Sequence, residues 1–157
     1  MIINILNKNL VCKNHAFFVS LDMKLLITGS RNFEDYEGLK VAFEVLEREL
    51  GKSPSLILHG GAKGADQLAE KYAKERGIKT IVIRPDYEQH PAKVAPLKRN
   101  SDLVNLADAT LALYGKDRDR KGGTWDAVQK TLKANKPLLE RMSDGKIVHT
   151  EPQLTLF

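Results

Sequence analysis

Residues 54–77 read Pro-Ser-Leu-Ile-Leu-His-Gly-Gly-Ala-Lys-Gly-Ala-Asp-Gln-Leu-Ala-Glu-Lys-Tyr-Ala-Lys-Glu-Arg-Gly. Ser55–His59 is short and mostly apolar, the pattern of a strand buried on both faces. Gly60-Gly61 ends it. Asp66–Arg76 then has helical spacing, with Leu68, Ala69, Tyr72 and Ala73 on one side and Gly77 as the stop signal. A continuous apolar strand running through a glycine-rich turn into an amphipathic helix is the repeating unit of a parallel sheet.

The same unit recurs on either side. Upstream, Lys24–Thr28 is a strand, broken by Gly29, and Asp35–Leu50 follows as a helix with Leu39, Phe43, Leu46 and Leu50 periodic. Downstream, Thr80–Ile83 is a β-branched strand and Leu97–Leu106 a helix. Ala109–Leu113 is a fourth strand, Thr124–Asn135 a helix and Pro137–Leu139 a short fifth strand. Right-handed crossovers between such strands predict an α/β, doubly wound, mainly parallel five-stranded sheet with helices on both faces. Lys146–Thr150 is placed to add an edge strand after the turn at Ser143-Asp144-Gly145.

The chain has 157 residues, 42% hydrophobic and 29% charged, enough for one domain with a real core and too apolar for wholesale disorder. The single cysteine, Cys12, excludes an internal disulfide framework, and His15, His59, His90 and His149 have no zinc-ligand spacing, so no metal site is expected. No apolar run is long enough to cross a bilayer, and the cytoplasm is the expected compartment. The net charge of +5 suits anionic partners. The basic residues alternate with acidic ones, as on a solvated helix face, and form no basic block, so charge alone does not call for DNA. Homo-oligomerisation is left open.

Residues 1–22 mix Asn, Lys and apolar residues without periodicity. The Ala16–Val19 run is too short for a signal peptide. The segment is expected to be an ill-ordered arm or an over-long start, with the domain spanning 23–143 and a tail at 144–157.

In doubly wound sheets ligands sit at the carboxyl ends of the strands, and four constellations fall there. Gly29-Ser30-Arg31 follows the first strand, with Phe33 and Asp35 beyond; the hydroxyl and the guanidinium suit an anion. Gly60, Gly61 and Gly64 precede a helix start and would offer backbone amides and the helix dipole to a phosphate, although the spacing is neither Walker A nor a dinucleotide fingerprint. Asp66 is either a cap or dipole partner of that helix or an acceptor for a ribose hydroxyl. His59 is expected to pack at the strand end. Arg99 and Asn100 open the third helix after Pro96. Lys121-Gly122-Gly123-Thr124 opens the fourth, after a charge-alternating, loop-like stretch, and Trp125 is expected to pack the helix.

Together Gly29-Ser30-Arg31 with Phe33 and Asp35, Gly60 through Asp66, Arg99-Asn100 and Gly123-Thr124 resemble the SLOG superfamily. They are most similar to its small single-domain DUF2493 branch (YspA, cpYpsA-related) over about residues 23–141. The resemblance implies a Rossmann-like domain binding a nucleotide or an ADP-ribose-like ligand, as a sensor or an accessory of nucleotide metabolism in a bacterium or phage. Relatives of that superfamily also bind DNA or hydrolyse the N-glycosidic bond of nucleoside monophosphates. The Lonely-guy hydrolases carry Pro-Gly-Gly-x-Gly-Thr-x-x-Glu. Aligning on Gly123-Thr124 puts Ala127 at the glutamate, with Asp126 about 100° around the helix. That departure weakens the alternative of an N-glycosidase or phosphoribohydrolase.

The chain ends Gln153-Leu154-Thr155-Leu156-Phe157, which resembles the short peptide by which bacterial proteins dock on the replication sliding clamp. Gln153, Leu154, Leu156 and Phe157 would be the contacts. The competing reading folds Leu154, Leu156 and Phe157 back onto the sheet.

Overall fold

The computed structural model describes residues 22–154. The expected N-terminal arm, apart from Asp22, and the tail residues Thr155, Leu156 and Phe157 lie outside them. Among the described residues six strands form one sheet: β1 Met23–Gly29, β2 Pro54–His59, β3 Lys79–Val82, β4 Ala109–Leu113, β5 Leu138–Arg141 and β6 Ile147–Thr150. Four helices connect them: α1 Tyr36–Leu50, α2 Ala65–Arg76, α3 Ala95–Leu106 and α4 Gly122–Lys133. None of them is long and apolar enough to cross a membrane.

The strand order is β3-β2-β1-β4-β5-β6, parallel except for β6, which runs antiparallel to β5. The sixth strand extends the expected five, at the edge position that Lys146–Thr150 suggested. The turn before it is tight enough for Met142 N–H to donate to the Lys146 carbonyl at 2.8 Å.

Consecutive apolar residues serve opposite faces because strand side chains alternate. Leu25 and Ile27 join Ile57, Leu111 and Leu113 beneath α1 and α2, where Phe43 and Tyr72 stack with ring centroids 4.1 Å apart. Leu26 and Leu58 meet Leu103 and Val104 of α3 on the other face. Ala112, Tyr114 and Leu138 meet Val128 of α4 on that same face. The helix ends are closed individually. Asp35 caps α1 by accepting from Gly38 N–H at 2.8 Å. Lys136 Nζ caps the last turn of α3 by donating to the carbonyls of Val104 and Ala107 at 2.7 and 2.6 Å.

After β3 the chain crosses back to lie beside β1 as β4. Helices before the crossover cover one face and those after it cover the other. The carboxyl ends of β1 and β4 are therefore where neighbouring connections diverge, and a crevice opens there. Gly29 closes its floor. A Cβ on Gly29 would lie 2.3 Å from Ala65 Cβ and 2.6 Å from the Leu113 carbonyl oxygen. Gly29→Ala is expected to lower stability by about 1–3 kcal/mol or more through overpacking against backbone that cannot yield, measured by urea unfolding. An unchanged midpoint would mean that α2 slides freely over β1.

Candidate functional site

The crevice is a cleft of about 570 Å³. Thr28, Gly29, Ser30, Arg31 and Asn32 border it from β1 and its following loop, and Ala62 and Asp66 from the β2 side. Pro96, Leu97, Arg99 and Asn100 come from α3. Arg118, Lys121, Gly123 and Thr124 complete the wall from the β4–α4 connection. Of the expected ligand-binding residues, Gly29, Ser30, Arg31, Asp66, Arg99, Asn100, Gly123 and Thr124 are brought together around this one cleft.

Gly60, Gly61, Gly64 and Gly122 do not border the cleft. The Gly60 and Gly61 amides, expected to face a phosphate, are spent within the protein. Gly60 and Ala62 donate to Asp66 Oδ2 at 3.1 and 3.0 Å, and Gly61 donates to His59 Nδ1 at 3.1 Å. Gly64 sits at φ +75°, and a Cβ there would lie 2.4 Å from the Ser30 carbonyl oxygen and 2.5 Å from that of Arg31. It is needed so that the β2 and β1 loops can touch, rather than for room around a ligand.

Asp66 thus takes a role that neither sequence reading had: it staples the loop in front of its own helix. Its carboxyl is pushed up from the ordinary aspartate range, mainly by burial, while the loop amides and the Arg99 charge pull the other way. His59 is buried at the strand end as expected. Accepting from Gly61 puts its proton on Nε2, which meets Glu70 Oε2 at 2.6 Å. Arg99 cross-links the carboxyl ends of β2 and β3, its Nη1 donating to the carbonyls of Gly60 at 3.0 Å and Ile83 at 3.3 Å. Burial lowers its pKa from the usual arginine value. Its Nε donates to Asn100 Oδ1 at 3.1 Å, and Asn100 Nδ2 donates in turn to Gly123 O at 3.2 Å and Asp126 Oδ2 at 2.9 Å.

Asp126 also pairs with Lys130 at 2.8 Å, so its carboxylate is bound within the α3–α4 contact and does not border the cleft. Ala127 is buried against the sheet. Phe33 is buried in the core, and Asp35 pairs with Arg141 besides capping α1, so both support the β1 loop without bordering the cleft. Among the described residues no cluster of His, Cys, Asp or Glu is arranged to hold a metal.

Arg118 was absent from the expected set because residues 116–121 read as a charge-alternating loop. The loop is anchored twice. Tyr114 Oη donates to buried Glu140 at 2.8 Å, and Arg120 Nη2 donates to the same carboxylate at 3.1 Å, with its guanidinium over the Trp125 ring. Asp119 accepts from Ser143 N–H and Oγ at 2.7 and 2.8 Å. The signal in the sequence was positional: the run fills the turn after the strand beside β1.

The profile of the YspA, cpYpsA-related SLOG family matches residues 23–90, which carry β1 through β3 and the loops behind the cleft. The chain is 33% identical over 124 residues to the Gene 61 protein of Mycobacterium phage D29, an overlap covering 74% of this chain and 94% of that protein. The chain belongs to the YspA, cpYpsA-related SLOG family. Membership supports a nucleotide-related, Rossmann-like domain, and the strand order agrees with that fold. In this SLOG domain the family match ends before Arg99, Arg118 and Lys121, so half of the cleft's wall lies in the region beyond it.

Two outcomes follow from the supporting groups. Glu140→Ala leaves the buried Tyr114 hydroxyl without its acceptor and Arg120 without its anchor. It is expected to cost about 1–3 kcal/mol, read from thermal or urea unfolding. Glu70 is held below the ordinary glutamate value of 4.5, chiefly by the His59 hydrogen bond. Its stabilising contribution is complete above that value and is lost as the pH falls through the depressed one. Glu70→Gln should therefore flatten the acid side of the Tm–pH profile. An unaltered acid limb would remove Glu70 as a source of acid sensitivity.

Proposed function

We propose that the cleft binds a phosphorylated nucleotide derivative. One observation carries the reading: four cationic side chains, Arg31, Arg99, Arg118 and Lys121, border a cleft that among the described residues holds a single carboxylate, Asp66. None of the four is in a salt bridge among the described residues. Four like charges held together around one carboxylate repel one another, and an anionic ligand relieves that repulsion. The N-terminus of α4 adds free amides and its dipole beside Gly123 and Thr124. The place is the crevice where a sheet of this strand order receives ligands.

Calorimetry at low salt with adenosine monophosphate, guanosine monophosphate and ADP-ribose tests it. Arg31→Ala is expected to weaken binding about tenfold, the loss of one charge-assisted contact. Gly123 gives the cleaner variant. Nothing lies within 4 Å of a Cβ built on it, and it borders the cleft. Gly123→Leu should keep the native Tm and abolish binding by filling the space. Undiminished binding in that variant, or no binding of any of the three ligands to the unaltered protein, overturns the assignment.

We also propose that the tail docks on the replication sliding clamp. Gln153 exchanges two hydrogen bonds with Asn135, its N–H donating to Oδ1 at 2.7 Å and its carbonyl accepting from Nδ2 at 2.9 Å. This holds the main chain at the α4 end of the domain. Leu154, next along, is 92% exposed, which favours a presented peptide over one folded back. Removing Leu156 and Phe157 should eliminate clamp binding, expected in roughly the micromolar range because a short peptide loses entropy on docking, with no change in Tm. A stability loss of about 2–5 kcal/mol would mean that the two side chains were core.

A further inference from the structure

Asp66 carries a feature that the fold does not use. The residue is 6% exposed and borders the cleft. Oδ2 accepts from two loop amides. Among the described residues no protein donor meets Oδ1, although Arg99 stands close enough to act on the carboxylate by its charge. Nor is Oδ1 sealed in: among the described residues the enclosed side-chain atoms left without a partner are Glu47 Oε1 and His149 Nε2. The small exposed part of Asp66 therefore opens on the cleft.

A carboxylate oxygen in that position has lost most of its water and gains if a ligand supplies a donor. A phosphate oxygen cannot be that atom, because two anions repel. The donor is then a neutral O–H or N–H of the ligand. The other groups around the cleft narrow the choice. Among the described residues the apolar lining is confined to Ala62, Pro96 and Leu97, and no aromatic ring borders the cleft. Leu97 is 45% exposed on α3. A base finds its one apolar surface there. Hydroxyls of Thr28, Ser30 and Thr124 border the rest, and none of the three side chains makes a hydrogen bond to another described residue. A polyhydroxylated ring matches such a lining better than a flat base does.

We infer that Asp66 Oδ1 accepts a hydrogen bond from a ribose hydroxyl of the ligand and so makes the cleft select ribonucleotide derivatives over those lacking the diol. The inference rests on the reading of the cleft as a nucleotide-phosphate site. Asp66 is here a specificity-determining residue, and no bond is made or broken. A site built to pair a hydroxyl rejects the analogue that lacks it, because the buried acceptor is then left bare. For one hydrogen bond to a charged acceptor the discrimination is roughly ten- to a hundredfold.

The test compares adenosine monophosphate with its dideoxy analogue, which keeps base and phosphate and lacks both ribose hydroxyls. Titrations use the full chain and Asp66→Asn. Asparagine keeps a carbonyl oxygen for the Gly60 and Ala62 amides and replaces the free acceptor with an amide NH₂. The unaltered protein should prefer the ribonucleotide by about tenfold or more. Asp66→Asn should retain its Tm and bind both compounds with nearly equal, weakened affinity. Equal binding of the two by the unaltered protein overturns the inference while leaving the phosphate site standing. So does a preference that survives in a folded Asp66→Asn. If neither compound nor inorganic pyrophosphate binds, the phosphate-site reading fails and takes this inference with it. The comparison on the unaltered chain decides the matter even where the variant does not fold.

Discussion

Three backbone segments meet at the end of β1, and the cleft depends on how closely they do so. Ser30 N–H donates to the Leu113 carbonyl on β4 at 2.9 Å, and the Ser30 carbonyl accepts from Phe33 at 3.1 Å and from Ala65 on α2 at 3.2 Å. One residue thus joins two strands and the start of a helix. The junction exists because Gly29 and Gly64 have no side chains to hold the segments apart. A buried backbone group must find a partner, and here the partners are supplied by neighbouring loops. That leaves the serine side chain free at the cleft and fixes Arg31 beside it.

The rest of the wall follows the same economy. Arg99 and the loop that carries Arg118 and Lys121 are held by groups just behind them. Arg99 is pinned by two carbonyls and Asn100, and Asn100 ties α3 to the start of α4. Arg118 and Lys121 ride on a loop whose two anchors, Glu140 and Ser143, lie on and just after β5. Cations would scatter from one another on a free loop. Anchoring them in place supplies beforehand the ordering that a ligand would otherwise have to impose, which is how a preorganised site gains affinity.

Family membership and geometry speak to different parts of the molecule. The match to the SLOG profile covers the half with β1, β2 and the glycine-rich loop. The phage relative covers a larger share of the chain. The glycine-rich loop carries much of the family resemblance, yet its amides serve to orient Asp66 and His59. Charge for an anion comes largely from elsewhere, with Arg99, Arg118 and Lys121 all beyond the profile match.

The order of strands and helices was legible because burial on two faces leaves an unmistakable run such as Leu25-Leu26-Ile27 and because glycines mark where each strand ends. Every helix was found to within two residues at either end. The cleft's position was legible too, since strand ends in a doubly wound sheet fix where ligands sit. What each polar residue does there was not. A glycine whose amide meets a ligand and one whose amide meets Asp66 look the same in sequence. A charge run that is solvated and one held by a buried glutamate twenty residues on also look the same. Partners of that kind are set by long-range packing, and only the tertiary structure decides which hydrogen-bonding groups are already satisfied and which, like Asp66 Oδ1, are left open.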